Sequence, residues 1–81
     1  METNCYVYVH KKLDNGNPFY VGKGTGNRIS SIKDRNIYWK RIVAKYGYEY
    51  SIIQSGLTSK QALFFHRVLE ILLLEQYLYM V

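Results

Sequence analysis

Apolar and polar positions alternate one for one at the start of the chain. Cys5, Val7 and Val9 fall between Tyr6, Tyr8 and His10, a period of two that predicts a half-buried β-strand. Asn15-Gly16 follows, two residue types that accept positive φ at low cost, and predicts a turn. Pro18 opens a second strand, where a missing N–H matters least, and Phe19 and Val21 alternate with Tyr20 and Gly22. Lys23-Gly24-Thr25-Gly26 then leaves the sheet. A short helix is expected over roughly 27–33, setting Arg28 and Ile32 one turn apart. Asn36 is a good cap for a second helix, Ile37–Tyr46, ended by Gly47. Tyr38 with Ile42 and Trp39 with Val43 make its apolar stripe, and Lys40, Arg41 and Lys45 fall opposite, a basic face able to lie along a phosphate backbone. Trp39 reads as a core side chain before it reads as a base-stacking platform.

A third strand is predicted over Tyr48–Gln54, with Tyr48, Tyr50 and Ile52 on one face and Ile53 on the other. Ser55-Gly56 is expected to turn the chain. Thr58-x-x-Gln61 is a capping box, with Leu57 and Ala62 as its hydrophobic staple, so the last helix begins at Ser59. From Leu63 onward that helix is apolar nearly all round: Phe64, Phe65, Val68, Leu69, Ile71, Leu72, Leu73, Leu74, Tyr77, Leu78 and Tyr79 exceed what one small sheet can cover. Such a helix is buried on all sides or meets a partner. The expectation is a homodimer or higher oligomer through it; the alternative seats it between the sheet and the basic helix. The fold class is α+β, a small three-stranded antiparallel sheet flanked by helices and ending in a long apolar one.

The 81 residues make one small domain with no room for a second. A single cysteine cannot form an internal disulfide, and Cys5 on an apolar strand face reads as a small core residue. The opening residues, METN, lack a signal peptide's basic start and apolar run, so a cytoplasmic setting is expected. The longest apolar run, Ile71–Leu74, is too short to span a membrane. Charge sharpens the picture by its placement. Lys23, Arg28, Lys33, Arg35, Lys40, Arg41 and Lys45 face a single acid, Asp34, within the middle third of a chain whose formal net charge is +5. One lysine reads as solvated surface; the cluster reads as a match for phosphates.

Tyr6-Val7-Tyr8, then Tyr20-Val21-Gly22, then Arg28 after a short basic, glycine-containing link resembles the GIY-YIG nuclease superfamily. Arg35-Asn36-x-x-Trp39, followed by Ile42-Val43-x-Lys45-Tyr46-Gly47, resembles its phage-type branch, which makes a phage-encoded protein in a bacterial host an expectation. The first glycine of the name-giving triplet is Tyr6 here. The resemblance implies that Tyr8 and Tyr20 are the two site tyrosines, Gly22 the motif glycine and Arg28 the arginine that stabilises phosphate charge. Tyr6, Lys23, Gly24, Lys40 and Arg41 would join Arg28 in holding the ligand's phosphates.

The same resemblance implies a single Mg²⁺ or Mn²⁺ held by a glutamate on a later helix, and here the chain departs. Alignment from Leu57-Thr58 and Ala62 puts His66 at the glutamate's position, and imidazole is a poor ligand for a hard cation. Glu70, at i+4 from His66, would supply the carboxylate if the helix were shifted by a turn. The histidine many relatives carry one turn after the arginine is Ile32, and the family's late asparagine has no counterpart before Val81. Two readings follow. In the first, the domain is catalytically degenerate and binds nucleic acid or a small nucleotide in the former active-site cleft, as an oligomer. In the second it is an active metal-dependent DNA endonuclease using Tyr8, Tyr20, Arg28 and Glu70. A third, a structural or inhibitory protein acting through the apolar helix, leaves the basic face as solubility surface.

Overall fold

The computed structural model describes residues 3–31 and 35–79, with side chains as far as residue 73. Strands β1 (Cys5–Lys12), β2 (Pro18–Gly24) and β3 (Tyr48–Leu57) form one antiparallel sheet in the order β2-β1-β3. Between β2 and β3 lie a 3₁₀ turn, Arg28–Ser30, and helix α1, Ile37–Tyr46; helix α2, Ser59–Tyr79, follows β3. The molecule is α+β, as the periodicities predict.

The central place of β1 changes what its alternation means. Val7 and Val9 join Val21, Leu57 and Ala62 in the apolar core, with Cys5, Leu69 and Leu73 packed against it. Tyr6, Tyr8 and His10 point to the other face and are buried as well. A half-buried strand was the expectation; a layer on each face makes both sets interior. The polar set tolerates burial because each group is paired: no buried side-chain nitrogen or oxygen among the described residues lacks a partner.

Both helix starts fall where the caps predict. The Asn36 side chain accepts the Trp39 N–H at 2.8 Å, and the Gly47 N–H closes α1 on the Val43 carbonyl at 2.9 Å. At α2 the Thr58 N–H donates to Gln61 Oε1 (2.9 Å) and the Gln61 N–H to Thr58 Oγ1 (3.2 Å), with Leu57 and Ala62 buried beside them.

Four expectations are corrected. Tyr38 is 71% exposed, so the buried stripe of α1 narrows to Trp39 with Ile42 and Val43 half-buried. Ser55-Gly56 does not turn the chain. Gly56 adopts φ 66° inside β3, where the pairing with β1 shifts between Cys5 and Val7, so the glycine serves a bulge and the strand runs on to Leu57. The helix expected over 27–33 is a 3₁₀ turn of three residues, and Ile32 and Lys33 lie outside the described residues. Finally, α2 packs on the Val7–Val9 face whereas α1 covers the His10 face through Trp39, so α2 does not sit between sheet and basic helix. Its inward stripe is Ala62, Leu69 and Leu73, joined by His66; Phe64, Val68, Ile71 and Leu72 are exposed. No helix among the described residues is long and apolar enough to cross a membrane.

Candidate phosphate-binding site

The β1–β2 register sets Tyr8 opposite Gly22 and His10 opposite Tyr20, which gathers Tyr8, His10 and Tyr20 on one face. Gly22 is there for space. A Cβ on it would collide with Tyr8 Cζ and Oη, so the phenol end of Tyr8 packs directly against the backbone of β2, and the side chain is fully buried. Gly24 does the same for Arg28, whose Cγ lies 2.6 Å from where a Cβ would be. The two glycines thus seat one tyrosine and one arginine against the second strand.

Arg35 joins these parts. Its guanidinium is buried and donates to Tyr20 Oη (2.9 Å), Tyr8 Oη (3.2 Å) and the carbonyls of Arg28 (3.0 Å) and Ser31 (2.9 Å). It also lies over the Tyr20 ring, 4.9 Å from the centroid. Only a planar fork of several N–H groups reaches two hydroxyls and two carbonyls at once; a lysine ammonium, with three donors on one atom, does not.

Two further buried groups hold the loop that carries Arg28. Tyr6 Oη donates to the Gly26 carbonyl (2.7 Å) and accepts the Ile29 N–H (2.9 Å). Trp39 Nε1–H donates to His10 Nδ1 (2.9 Å), so the ring's proton sits on Nε2 and is donated to the Ile29 carbonyl (2.7 Å). Burial lowers the His10 pKa from its ordinary value; the Ile29 bond opposes this and Arg35 adds to it. His10 is therefore a neutral structural ring at neutral pH.

Tyr20 is pushed the other way. Burial raises its pKa most, with Tyr8 adding to the rise, while the charges of Arg35 and Arg28 pull it back. At neutral pH it is a phenol, a hydrogen-bonding group and not a base.

Of the residues the sequence nominates, Tyr8, Tyr20, Gly22, Gly24 and Arg28 come together. The Tyr6 hydroxyl is committed to the loop. Lys40 and Arg41 are exposed on α1, the helix that covers the tyrosine face. Lys23 registers opposite Val7, so its exposed side chain leaves on the α2 face of the sheet. His66 and Glu70 belong to that face too. His66 Nε2 lies 3.2 Å from the Val21 carbonyl and 3.1 Å from Glu70 Oε1, and two acceptors make that nitrogen a proton donor. Glu70 also borders a hollow of about 230 Å³ with Phe19, Tyr20, Val21 and Leu73. These residues do not fit the magnesium or manganese ion that the resemblance implies. The one carboxylate is paired with an imidazole N–H across the sheet from Tyr8, and among the described residues no three His, Cys, Asp or Glu side chains lie together.

The sequence missed Arg35, His10 and Trp39 as a connected set. Arg35 is one of seven cations in the basic third, and charge alone does not distinguish the buried one; its place in the run Arg35-Asn36-x-x-Trp39, directly before the Asn36 cap, is the available signal.

No family model matches this chain, and neither a curated protein nor a solved structure does.

Proposed function

We propose that this chain is a GIY-YIG-like domain that binds a phosphate-bearing ligand, nucleic acid or a small nucleotide, without cutting it. The observation that carries the reading is the convergence of both motif tyrosines and the loop of Arg28 on one buried cation. A phosphate on that face would be met by Arg28, with Lys40 and Arg41 exposed on the helix that covers the same face. Charge-assisted hydrogen bonds hold such a ligand without turnover. The departure at the metal position supports the second half of the proposal: His66 is turned to Val21 and Glu70, and Tyr20 is a neutral phenol, so neither a carboxylate cage nor a ready base accompanies the arginine. A homodimer through the exposed stripe of α2 belongs to the same reading.

The test is fluorescence anisotropy of a fluorescein-labelled dT12, with thymidine monophosphate as competitor. Arg28→Ala should weaken dT12 binding about tenfold or more, since a hydrogen bond to a charged group contributes roughly 1.5–3 kcal/mol. Equal binding by wild type and Arg28→Ala would remove the phosphate site. Competition by the mononucleotide separates a nucleotide pocket from a surface that needs a polymer.

A second reading rests on one specific observation: Glu70 and Tyr20 border the same hollow beside β2. An active endonuclease would draw its carboxylate from there.

A further inference from the structure

The arginine that the sequence motif marks is Arg28, yet the arginine with the most contacts to the motif is Arg35. Its four hydrogen bonds fall into two groups. Two go to the hydroxyls of Tyr8 and Tyr20, and two to the carbonyls of Arg28 and Ser31. The carbonyls bracket the 3₁₀ turn: that of Arg28, its first residue, also accepts the Ser31 N–H (3.2 Å), and that of Ser31 follows directly after its last residue. The same turn is tied at Ile29 by Tyr6 and His10. Arg28 thus projects from a segment fixed at three points, 28, 29 and 31 being held by buried side chains, with its stem on Gly24. Among the described residues, Arg35 alone connects that segment to the hydroxyls of Tyr8 and Tyr20. At 6% exposure it is itself withdrawn from a ligand.

We propose that Arg35 is the positioning residue of this site: one buried guanidinium sets the two tyrosine hydroxyls and, through the Arg28 and Ser31 carbonyls, holds the turn that presents the Arg28 side chain to phosphate. Arg28 meets the ligand and Arg35 fixes where it stands. This division of labour rests on the phosphate-binding reading above. It has a chemical consequence that a merely cationic site lacks. Charge at position 35 is not sufficient, because a lysine keeps the charge and loses the fork.

A double-mutant cycle on dT12 binding tests it, with Arg35→Lys, Arg28→Gln and the pair together, and Lys60→Gln on the exposed start of α2 as a charge-loss control. Arg35→Lys, at unchanged net charge, is expected to weaken binding about tenfold. The double variant is expected to bind no worse than Arg28→Gln alone, since Arg35 acts through Arg28. Binding by Arg35→Lys equal to wild type, or single effects that multiply in the double variant, overturns the proposal. A second measurement does not need a ligand. In ¹³Cζ-tyrosine NMR, Arg35→Gln, or Arg35→Lys if the first does not fold, should move the Tyr8 and Tyr20 signals and shift the Tyr20 titration, while Lys60→Gln leaves both unmoved. Unmoved tyrosine signals in the Arg35 variants would contradict the positioning role even if dT12 binding failed altogether, and failed wild-type binding with moved signals would count against the phosphate reading alone.

Discussion

His10 shows how one residue can be both polar and core. Its two ring nitrogens are spent on Trp39 and Ile29, which requires the neutral ring. Protonation would put a second N–H against the indole N–H, next to the Arg35 charge and under the Tyr20 and Tyr48 rings. Because burial holds its folded pKa below the ordinary value of 6.5, the unfolded chain binds more protons between those two points. The contribution of His10 to stability is therefore fully present above about pH 6.5, is lost as pH falls toward the folded pKa, and levels off below it. Urea unfolding should give a lower midpoint at pH 5 than at pH 7.5, with the difference reduced in His10→Gln. A pH-independent midpoint, or an undiminished difference in the variant, would speak against a buried neutral His10. The sequence offers His10 only as the polar partner in an alternation. Alternation assigns faces to side chains, but whether a second layer covers the polar face depends on α1 returning over β1, which is a long-range fact.

At the scale of elements, the local signals were the legible ones. The Asn36 cap, the Gly47 stop and the Thr58–Gln61 box are satisfied by bonds within a few residues, so sequence alone locates them. The Gly56 bulge was not legible, because a glycine directly after a serine reads equally as a turn until its pairing partner is known. The last helix was legible in part. As far as residue 73, Ala62, Leu69 and Leu73 face inward while Leu63, Phe64, Phe65, Val68, Ile71 and Leu72 are exposed, with Phe64, Val68, Ile71 and Leu72 forming an outward stripe at i, i+4, i+7 and i+8. Phe64 is 65% exposed and Ile71 58%, an apolar surface of the kind that marks interaction sites. The proposed homodimer buries this stripe against its copy. Sedimentation at micromolar concentration is expected to find a dimer for wild type and a folded monomer for Phe64→Glu with Ile71→Glu. A monomeric wild type removes the helix interface.

The whole molecule is a sheet with different chemistry on its two faces. One carries the tyrosines, Arg28, Arg35 and the basic helix; the other carries the aliphatic core, His66, Glu70 and Lys23. The first set was largely legible, because motif spacing at a hairpin fixes register and hence face. The separation of Lys23 and Glu70 from it was not, since proximity in sequence to Gly22 or in helical phase to His66 says nothing about the side of β2 on which each emerges. That separation is why the site is proposed to hold a phosphate and not to hydrolyse its ester. The most direct measurement is the incubation of purified protein with supercoiled plasmid and Mg²⁺ or Mn²⁺, followed by gel electrophoresis under both native and protein-stripped conditions. The expected result is a retarded plasmid that returns fully supercoiled once protein is removed, with retardation reduced in Arg28→Ala. Metal-dependent nicking that disappears in both Arg28→Ala and Glu70→Ala would contradict it and establish the endonuclease instead.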